Sequence, residues 1–72
     1  MAVTLYGLES CPFTRRLRER LDGEGRDYSW IDVERSPQVI PELRKLTDGR
    51  RVVPVLVDGV TIAVAPEGET EF

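Results

Sequence analysis

The residue of this sequence best placed to do chemistry is its single cysteine, Cys11. It follows a short strand-like run and directly precedes Pro12, at the predicted start of a helix. The unpaired N–H groups and the positive dipole end of a helix N-terminus stabilise a thiolate and lower the thiol pKa. Such a cysteine is suited to attack a disulfide. The alternative is a partly buried cysteine without chemistry, because free cysteine is among the most commonly buried residues.

The composition excludes several other kinds of site. The 72 residues contain no histidine, which removes Ser-His and Cys-His catalysis. One thiol leaves too few soft ligands for a zinc site within one chain, so we expect no metal and no resident cofactor. One cysteine forms no internal disulfide, and any redox step must therefore involve a second molecule. The net charge of -3 offers no basic surface for nucleic acid.

Length and hydropathy indicate one small globular domain. Apolar residues make up 40% of the chain and charged residues 32%, a balance typical of folded proteins. No apolar run approaches the roughly 20 residues of a membrane helix, and the N-terminus lacks the pattern of a signal peptide. We therefore expect a cytoplasmic protein without membrane contact.

Three elements position Cys11 in the first half of the chain. Residues 3–6 alternate in polarity and contain strand formers, which predicts a strand before the cysteine. An apolar residue recurs every four positions from Phe13, which predicts a helix over about 12–22. Residues 28–33 are rich in strand formers and predict a second strand.

The second half begins with a predicted helix that is capped at Ser36-Pro37 and ends at Asp48-Gly49. A start nearer Pro41 is the alternative, because an interior proline removes a helical hydrogen bond. Residues 52–57 and 60–64 are strand-like, and Asp58-Gly59 between them predicts a type I′ hairpin, in which both turn residues have positive φ. The predicted order is β-α-β-α-β-β, followed by an acidic, mostly irregular tail over 65–72.

This order, with Cys11-Pro12-Phe13-Thr14 after the first strand and Val52-Val53-Pro54-Val55 before the hairpin, resembles the glutaredoxin family over about residues 3–64. The resemblance implies a thioredoxin-like α/β domain over 1–64, with a four-stranded mixed sheet and helices on its faces. It also implies glutathione-dependent thiol-disulfide exchange, with glutathione as a co-substrate.

The resemblance assigns roles to individual residues as well. Cys11 would be the nucleophile, and Thr14 replaces the family's second cysteine and would donate a hydroxyl hydrogen bond to the Cys11 sulfur. Pro54 would be the family's cis-proline, and Val53 would pair its backbone with glutathione. The implied substrate-binding residues are Pro12, Phe13, Val53 and Pro54.

Three departures from the family pattern bear on binding. Leu8 stands where the family usually has a lysine for a glutathione carboxylate, and 63–67 replaces a Gly-Gly segment followed by acidic residues. Both changes remove expected glutathione contacts. Only eight residues follow position 64, so the family's final helix has no predicted counterpart. We expect the apolar sheet face beside the first helix to be covered by a second copy of the chain or by a protein partner.

Three functions are therefore open from the sequence. The first is a monothiol glutaredoxin-like oxidoreductase that acts on mixed disulfides through Cys11, with glutathione or protein thiols as partners. The alternative is a binding module in which the thioredoxin-like shape survives and the redox site is degenerate. The third is a dimeric iron-sulfur protein with Cys11 from two chains, although the family form of that motif usually has glycine where Pro12 stands.

Overall fold

The structure, a computed structural model, describes residues 3–66 and 68–72. Glu67, the last residue of the predicted substitute for the Gly-Gly segment, lies outside the described residues. In chain order the elements are β1 (Val3–Gly7), α1 (Pro12–Gly23), β2 (Ser29–Asp32), a 3₁₀ turn (Pro37–Val39), α2 (Ile40–Leu46), β3 (Val52–Val53), β4 (Val55–Asp58), β5 (Thr61–Val64) and β6 (Thr70–Glu71).

β1 is the strand on which the main sheet is built. It pairs in parallel with β2 and antiparallel with β4, and β4 pairs antiparallel with β5. The strand order is therefore β2-β1-β4-β5. This is the four-stranded mixed sheet that the sequence predicted, in a thioredoxin-like arrangement. Because β1 is a central strand, the loop that follows it places Cys11 near the middle of the sheet, at the C-terminal end of β1.

Each face of the sheet carries one helix, because successive strand residues point to opposite faces. Leu5 of β1 packs with Leu17 and Leu21 of α1, and all three are fully buried. The next residue, Tyr6, packs on the other face with Leu43 of α2. Cys11 belongs to this second cluster. The thiol is thus held between the start of α1 and the core beneath α2.

Two predicted elements begin at different residues in the structure. The predicted second helix begins with a 3₁₀ turn over Pro37–Val39, and the α-helix α2 starts only at Ile40. Pro41 therefore lies in the first turn of α2. There the missing N–H costs no helical hydrogen bond. The predicted strand over 52–57 divides at Pro54 into β3 and β4, since a proline donates no ladder hydrogen bond.

The predicted hairpin turn is wrong by one residue. Asp58 pairs with Thr61 as the last residue of β4, so the two turn residues are Gly59 and Val60. Gly59 has a φ of 62°, and Asp58 is not among the residues with positive φ. The core sets this register, because it keeps Leu56 opposite Ala63 on the face that α1 covers.

The chain after residue 64 is more ordered than the sequence predicted. Thr70 and Glu71 form β6, which pairs antiparallel with β3 in a separate two-stranded sheet. The only sequence sign of this strand is the brief alternation of Glu69, Thr70, Glu71 and Phe72, in which Thr70 and Phe72 are half-buried and the two glutamates are exposed.

The exposed large apolar side chains among the described residues are Val60, Ile62 and Val64, on β5 and the turn before it. Ile62 and Val64 point away from Ala63, which packs on the α1 side. On that side Leu56 of β4 is 6% exposed. Coverage of the sheet face beside α1 by a second copy or a partner therefore stays a prediction. The exposed side chains of Ile62 and Val64 lie on the opposite face of the sheet, the side of α2. No described helix is long and apolar enough to cross a membrane.

Gly7 permits the close contact between β1 and α1. A Cβ atom at this position would lie 2.4 Å from Cγ2 of Thr14 and 3.1 Å from the ring of Trp30. Contacts this short require the strand or the helix to shift. The absence of a side chain at Gly7 thus lets Thr14 lie between α1 and the sheet, beside Cys11.

We predict that Gly7→Ala lowers the free energy of unfolding by about 1 to 3 kcal/mol, the usual cost of overpacking a core. Gly23→Ala is the matched control, because nothing lies within 4 Å of the Cβ position at Gly23, the last residue of α1. It should be neutral or slightly stabilising. Urea denaturation compares the variants, and equal unfolding midpoints would contradict this account of Gly7.

Candidate active site

Cys11 is the residue immediately before α1, in the N-cap position. Its backbone is extended, with φ of -79° and ψ of 120°, and Pro12 is the first helical residue. Proline has no N–H, so the free donors of the first helical turn are those of the next two residues, Phe13 and Thr14. Both backbone N–H groups lower the pKa of the Cys11 thiol. The Cys11 side chain makes no capping hydrogen bond to this turn, so the helix N-terminus acts on the sulfur through the dipoles of its N–H groups.

Two hydroxyl groups complete the surroundings of the sulfur. The Thr70 Oγ1 atom lies 3.0 Å from Sγ, and the hydroxyl of Thr14 also lowers the pKa of the thiol. Burial raises the pKa of the Cys11 thiol, but the hydroxyls of Thr14 and Thr70 and the two backbone N–H groups outweigh it, so the pKa lies below its ordinary value. The site thus favours the thiolate, the form that attacks disulfides.

Thr14 links the sulfur to the loop before the helix. It is fully buried, and its Oγ1 accepts a hydrogen bond of 3.4 Å from the backbone N–H of Leu8. Because a hydroxyl has one donor and two acceptor positions, Thr14 can accept from Leu8 and donate to Cys11 together. The loop is closed again by the Cys11 N–H, which donates to the Leu8 carbonyl at 3.0 Å.

Asp32, the last residue of β2, fixes the same loop from the other side. Its carboxylate accepts hydrogen bonds from the backbone N–H groups of Glu9 at 3.3 Å, Glu34 at 2.9 Å and Arg35 at 3.3 Å. A carboxylate that ties two loops through backbone donors restricts both. The segment that presents Cys11 is therefore held at both ends.

The predicted substrate-binding residues differ in their exposure. Pro12 is exposed and Phe13 is half-buried at the rim of the site. Val53 and Pro54 are fully buried, and the Val53–Pro54 peptide bond is cis, as the resemblance implies. Val53 packs in one cluster with Cys11. The structure therefore brings the proline loop and the cysteine together.

Sequence reasoning missed Thr70. Fifty-nine positions separate it from Cys11, and only the pairing of β6 with β3 brings them together. Its partner in that pairing is Val53, so the backbone edge that the resemblance assigns to glutathione is occupied by the chain itself. Cys11 is 2% exposed as a result of these contacts and those of the core.

The side of the site near Leu8 is apolar. Leu8 packs against the cluster that contains Cys11 and lines a cavity of about 260 Å³. The other residues around that cavity are Val33, Glu34, Pro37, Ile40, Arg51 and Phe72. Where the family usually presents a lysine, this chain presents a hydrocarbon surface, which favours apolar groups over a carboxylate.

Comparison with known proteins decides the family. The glutaredoxin family model matches residues 3–62, which are most of the chain and include Cys11, α1 and the Pro54 loop. The chain belongs to the glutaredoxin family. Among curated proteins, mycoredoxin 1 of Corynebacterium glutamicum is 35% identical over 54 residues, which are 75% of this chain and 66% of that protein.

Solved structures of glutaredoxins have the same architecture. A glutaredoxin from Archaeoglobus fulgidus superimposes with a TM-score of 0.77 at 34% identity, covering 89% of this chain and 75% of that one. The NrdH-redoxin of Escherichia coli, a glutaredoxin-like protein with a thioredoxin-like activity profile, gives 0.78 at 26% identity, covering 89% and 82%. Membership in this family of redox proteins supports thiol-disulfide oxidoreductase chemistry in general terms.

We predict that Thr14→Val raises the pKa of Cys11, because the variant keeps the shape of the side chain and loses the hydroxyl donor. Thr14→Ser keeps that donor and should leave the pKa near the wild-type value. The pH midpoint of the alkylation rate of Cys11 by iodoacetamide measures the pKa in each protein. The same midpoint in wild type and Thr14→Val would show that Thr14 does not stabilise the thiolate.

Proposed function

We propose that this protein is a monothiol thiol-disulfide oxidoreductase in which Cys11 is the nucleophile. The observation that carries the proposal is the position of the sulfur, at the N-terminus of α1 and 3.0 Å from the Thr70 hydroxyl. Two backbone N–H groups and two threonine hydroxyls lower the pKa of a thiol that burial alone would raise. A purely structural cysteine needs no such donors, since a buried neutral thiol behaves as a small apolar group.

The reaction proceeds in two exchanges. The Cys11 thiolate attacks one sulfur of a disulfide R–S–S–R′, the S–S bond breaks, and R′–S⁻ leaves and takes a proton from water. Cys11 is then joined to R in a mixed disulfide. A second thiol, as its thiolate, attacks the sulfur of R, which restores the Cys11 thiolate and carries R away as a new disulfide. The substrate disulfide is reduced and the second thiol is oxidised.

Within this scheme each residue of the site has a limited task. Thr14 and the backbone N–H groups of Phe13 and Thr14 stabilise Cys11 as an attacking and as a leaving thiolate. Val53, whose backbone pairs with Thr70 in the free protein, would offer that pairing to the substrate, and Pro12, Phe13 and Pro54 are the other proposed binding residues. Thr14 stands where an internal resolving thiol would be needed for a dithiol mechanism, so the resolving thiol is external.

Glutathione is the proposed thiol partner from the family resemblance, as a co-substrate and not as a resident cofactor. Leu8 opposes strong binding of its carboxylate, so we expect protein or peptide disulfides to bind more tightly than glutathione alone. A chain with one thiol needs no oxidising compartment for its fold, and we propose that it acts in the cytoplasm.

The test is the reaction of the reduced protein with a mixed disulfide between a peptide cysteine and glutathione. We predict one covalent adduct on Cys11 by mass spectrometry, release of the other half as a thiol, and regeneration by excess glutathione. A short peptide with the sequence Cys-Pro-Phe-Thr is the matched control for the effect of the fold, and Cys11→Ser is the control for the nucleophile.

The folded protein should react faster than the peptide at a pH below the ordinary cysteine pKa, where the peptide is mostly thiol. Equal rates would mean that the fold does not activate Cys11. No adduct at all would favour the alternative, a binding module with a degenerate redox site.

A further inference from the structure

Residues 68–72, here called the C-terminal strap, cross the opening of the candidate active site. β6 within the strap pairs antiparallel with β3, so that Thr70 lies opposite Val53 and Glu71 opposite Val52. The Phe72 N–H extends the pairing by donating to the Arg51 carbonyl at 3.1 Å. The strap therefore uses the backbone positions next to Pro54 that an extended ligand would use.

The side chains of the strap are arranged like those of a bound peptide. Thr70 points inward, with Oγ1 3.0 Å from the Cys11 sulfur, and Glu71 is exposed. A substrate sulfur must approach this same side of Cys11 if its peptide pairs with Val53 in the same register. The Thr70 hydroxyl thus occupies the place of a substrate cysteine side chain.

The residues two positions to either side of Thr70 fill the ends of the site. Gly68 packs closely against the Phe13 side chain. A Cβ atom at position 68 would lie 2.7 Å from the nearest atoms of the Phe13 ring. Phe72 packs against the core cluster that contains Cys11 and lines the apolar cavity beside Leu8, and the Arg51 guanidinium stacks over its ring at 4.9 Å from the centroid. One end of the groove therefore accepts a residue without a side chain, and the other accepts an aromatic group.

The strap is held in place by weak interactions. Its strand has two residues, and the ion pair between Arg50 and Glu69 is exposed at the surface, where such pairs contribute little. Segments with short pairing and exposed hydrogen bonds open at a low free-energy cost compared with the core. A peptide with better contacts in the same groove could take its place.

We propose that the C-terminal strap is an internal pseudosubstrate that keeps Cys11 covered until a peptide disulfide displaces it. The proposal rests on the proposed function of Cys11. The preferred substrate is an extended peptide whose disulfide-bonded cysteine takes the Thr70 position, with glycine two residues before it and an aromatic residue two residues after it. Cys11 then forms the mixed disulfide with that peptide cysteine, and the other thiol leaves as a thiolate and is protonated.

The first experiment measures how often the strap opens. The probe is iodoacetamide, and the readout is the limiting alkylation rate of Cys11 at a pH where the thiolate is fully formed. Gly68→Ala forces the strap away from Phe13, and Phe72→Ala removes its aromatic anchor. Glu71→Gln changes the exposed residue of the same strand and is the matched control.

We predict that Gly68→Ala and Phe72→Ala each raise the limiting rate by about fivefold or more, the factor that follows from weakening the strap by roughly 1 kcal/mol. Glu71→Gln should alkylate like the wild type. Urea unfolding of each variant verifies that the domain remains folded. Equal limiting rates in the wild type and in both strap variants would overturn the proposal.

The second experiment tests the substrate class. Two glutathionylated peptides, Gly-Ala-Cys-Ala-Phe and Gly-Ala-Cys-Ala-Ala, are compared as substrates of the wild type and of Phe72→Ala. The peptide with phenylalanine should react faster with both proteins, and the variant should react faster than the wild type with both peptides. Equal rates for the two peptides would overturn the substrate assignment.

Failure of the proposed function gives a different result. In that case Cys11 of the Gly68→Ala variant is alkylated faster than Cys11 of the wild type, but neither peptide disulfide reacts with any variant. That outcome would show that the strap covers Cys11 and would overturn its reading as a pseudosubstrate.

Discussion

The structure depends on how a buried sulfur is supplied with hydrogen-bond donors. Burial by itself would keep Cys11 as a neutral thiol, and the direction of its pKa is reversed by four donors from two parts of the chain. Three come from the first turn of α1, which must therefore begin directly after the cysteine. The fourth, Thr70, arrives with β6. The approach of α1 to β1 at Gly7 keeps Thr14 in reach of the sulfur.

Local sequence signals predicted α1, one of the two elements that this constraint requires. The cysteine before a proline predicted the start of α1, and the resemblance to glutaredoxins placed the Pro54 loop opposite the cysteine. The details that failed are those decided by packing. The turn moved from Asp58-Gly59 to Gly59-Val60 because the core fixed the register of β4 and β5, and α2 began later than Ser36-Pro37 indicated.

The role of residues 68–72 could not be predicted from their composition, because an acidic stretch with glycine indicates a loop. Their pairing with β3 is a contact with residues 17 to 19 positions earlier in the chain, and no local pattern encodes it. The same segment helps to cover the Cys11 thiol, which is 2% exposed. Thr70 therefore has two effects on Cys11, because it shields the sulfur from solvent and forms a hydrogen bond with it.

The most direct test of the central claim is the pH titration of Cys11 in the wild-type protein by the ultraviolet absorbance of the thiolate. Cys11→Ser serves as the reference that removes the contribution of Tyr6 and Tyr28. We expect a midpoint below about 8.5, the ordinary cysteine value, and a return to that value when the protein is unfolded in urea. A midpoint at or above the ordinary value in the folded protein would contradict this expectation, because burial would then outweigh the donors around the sulfur.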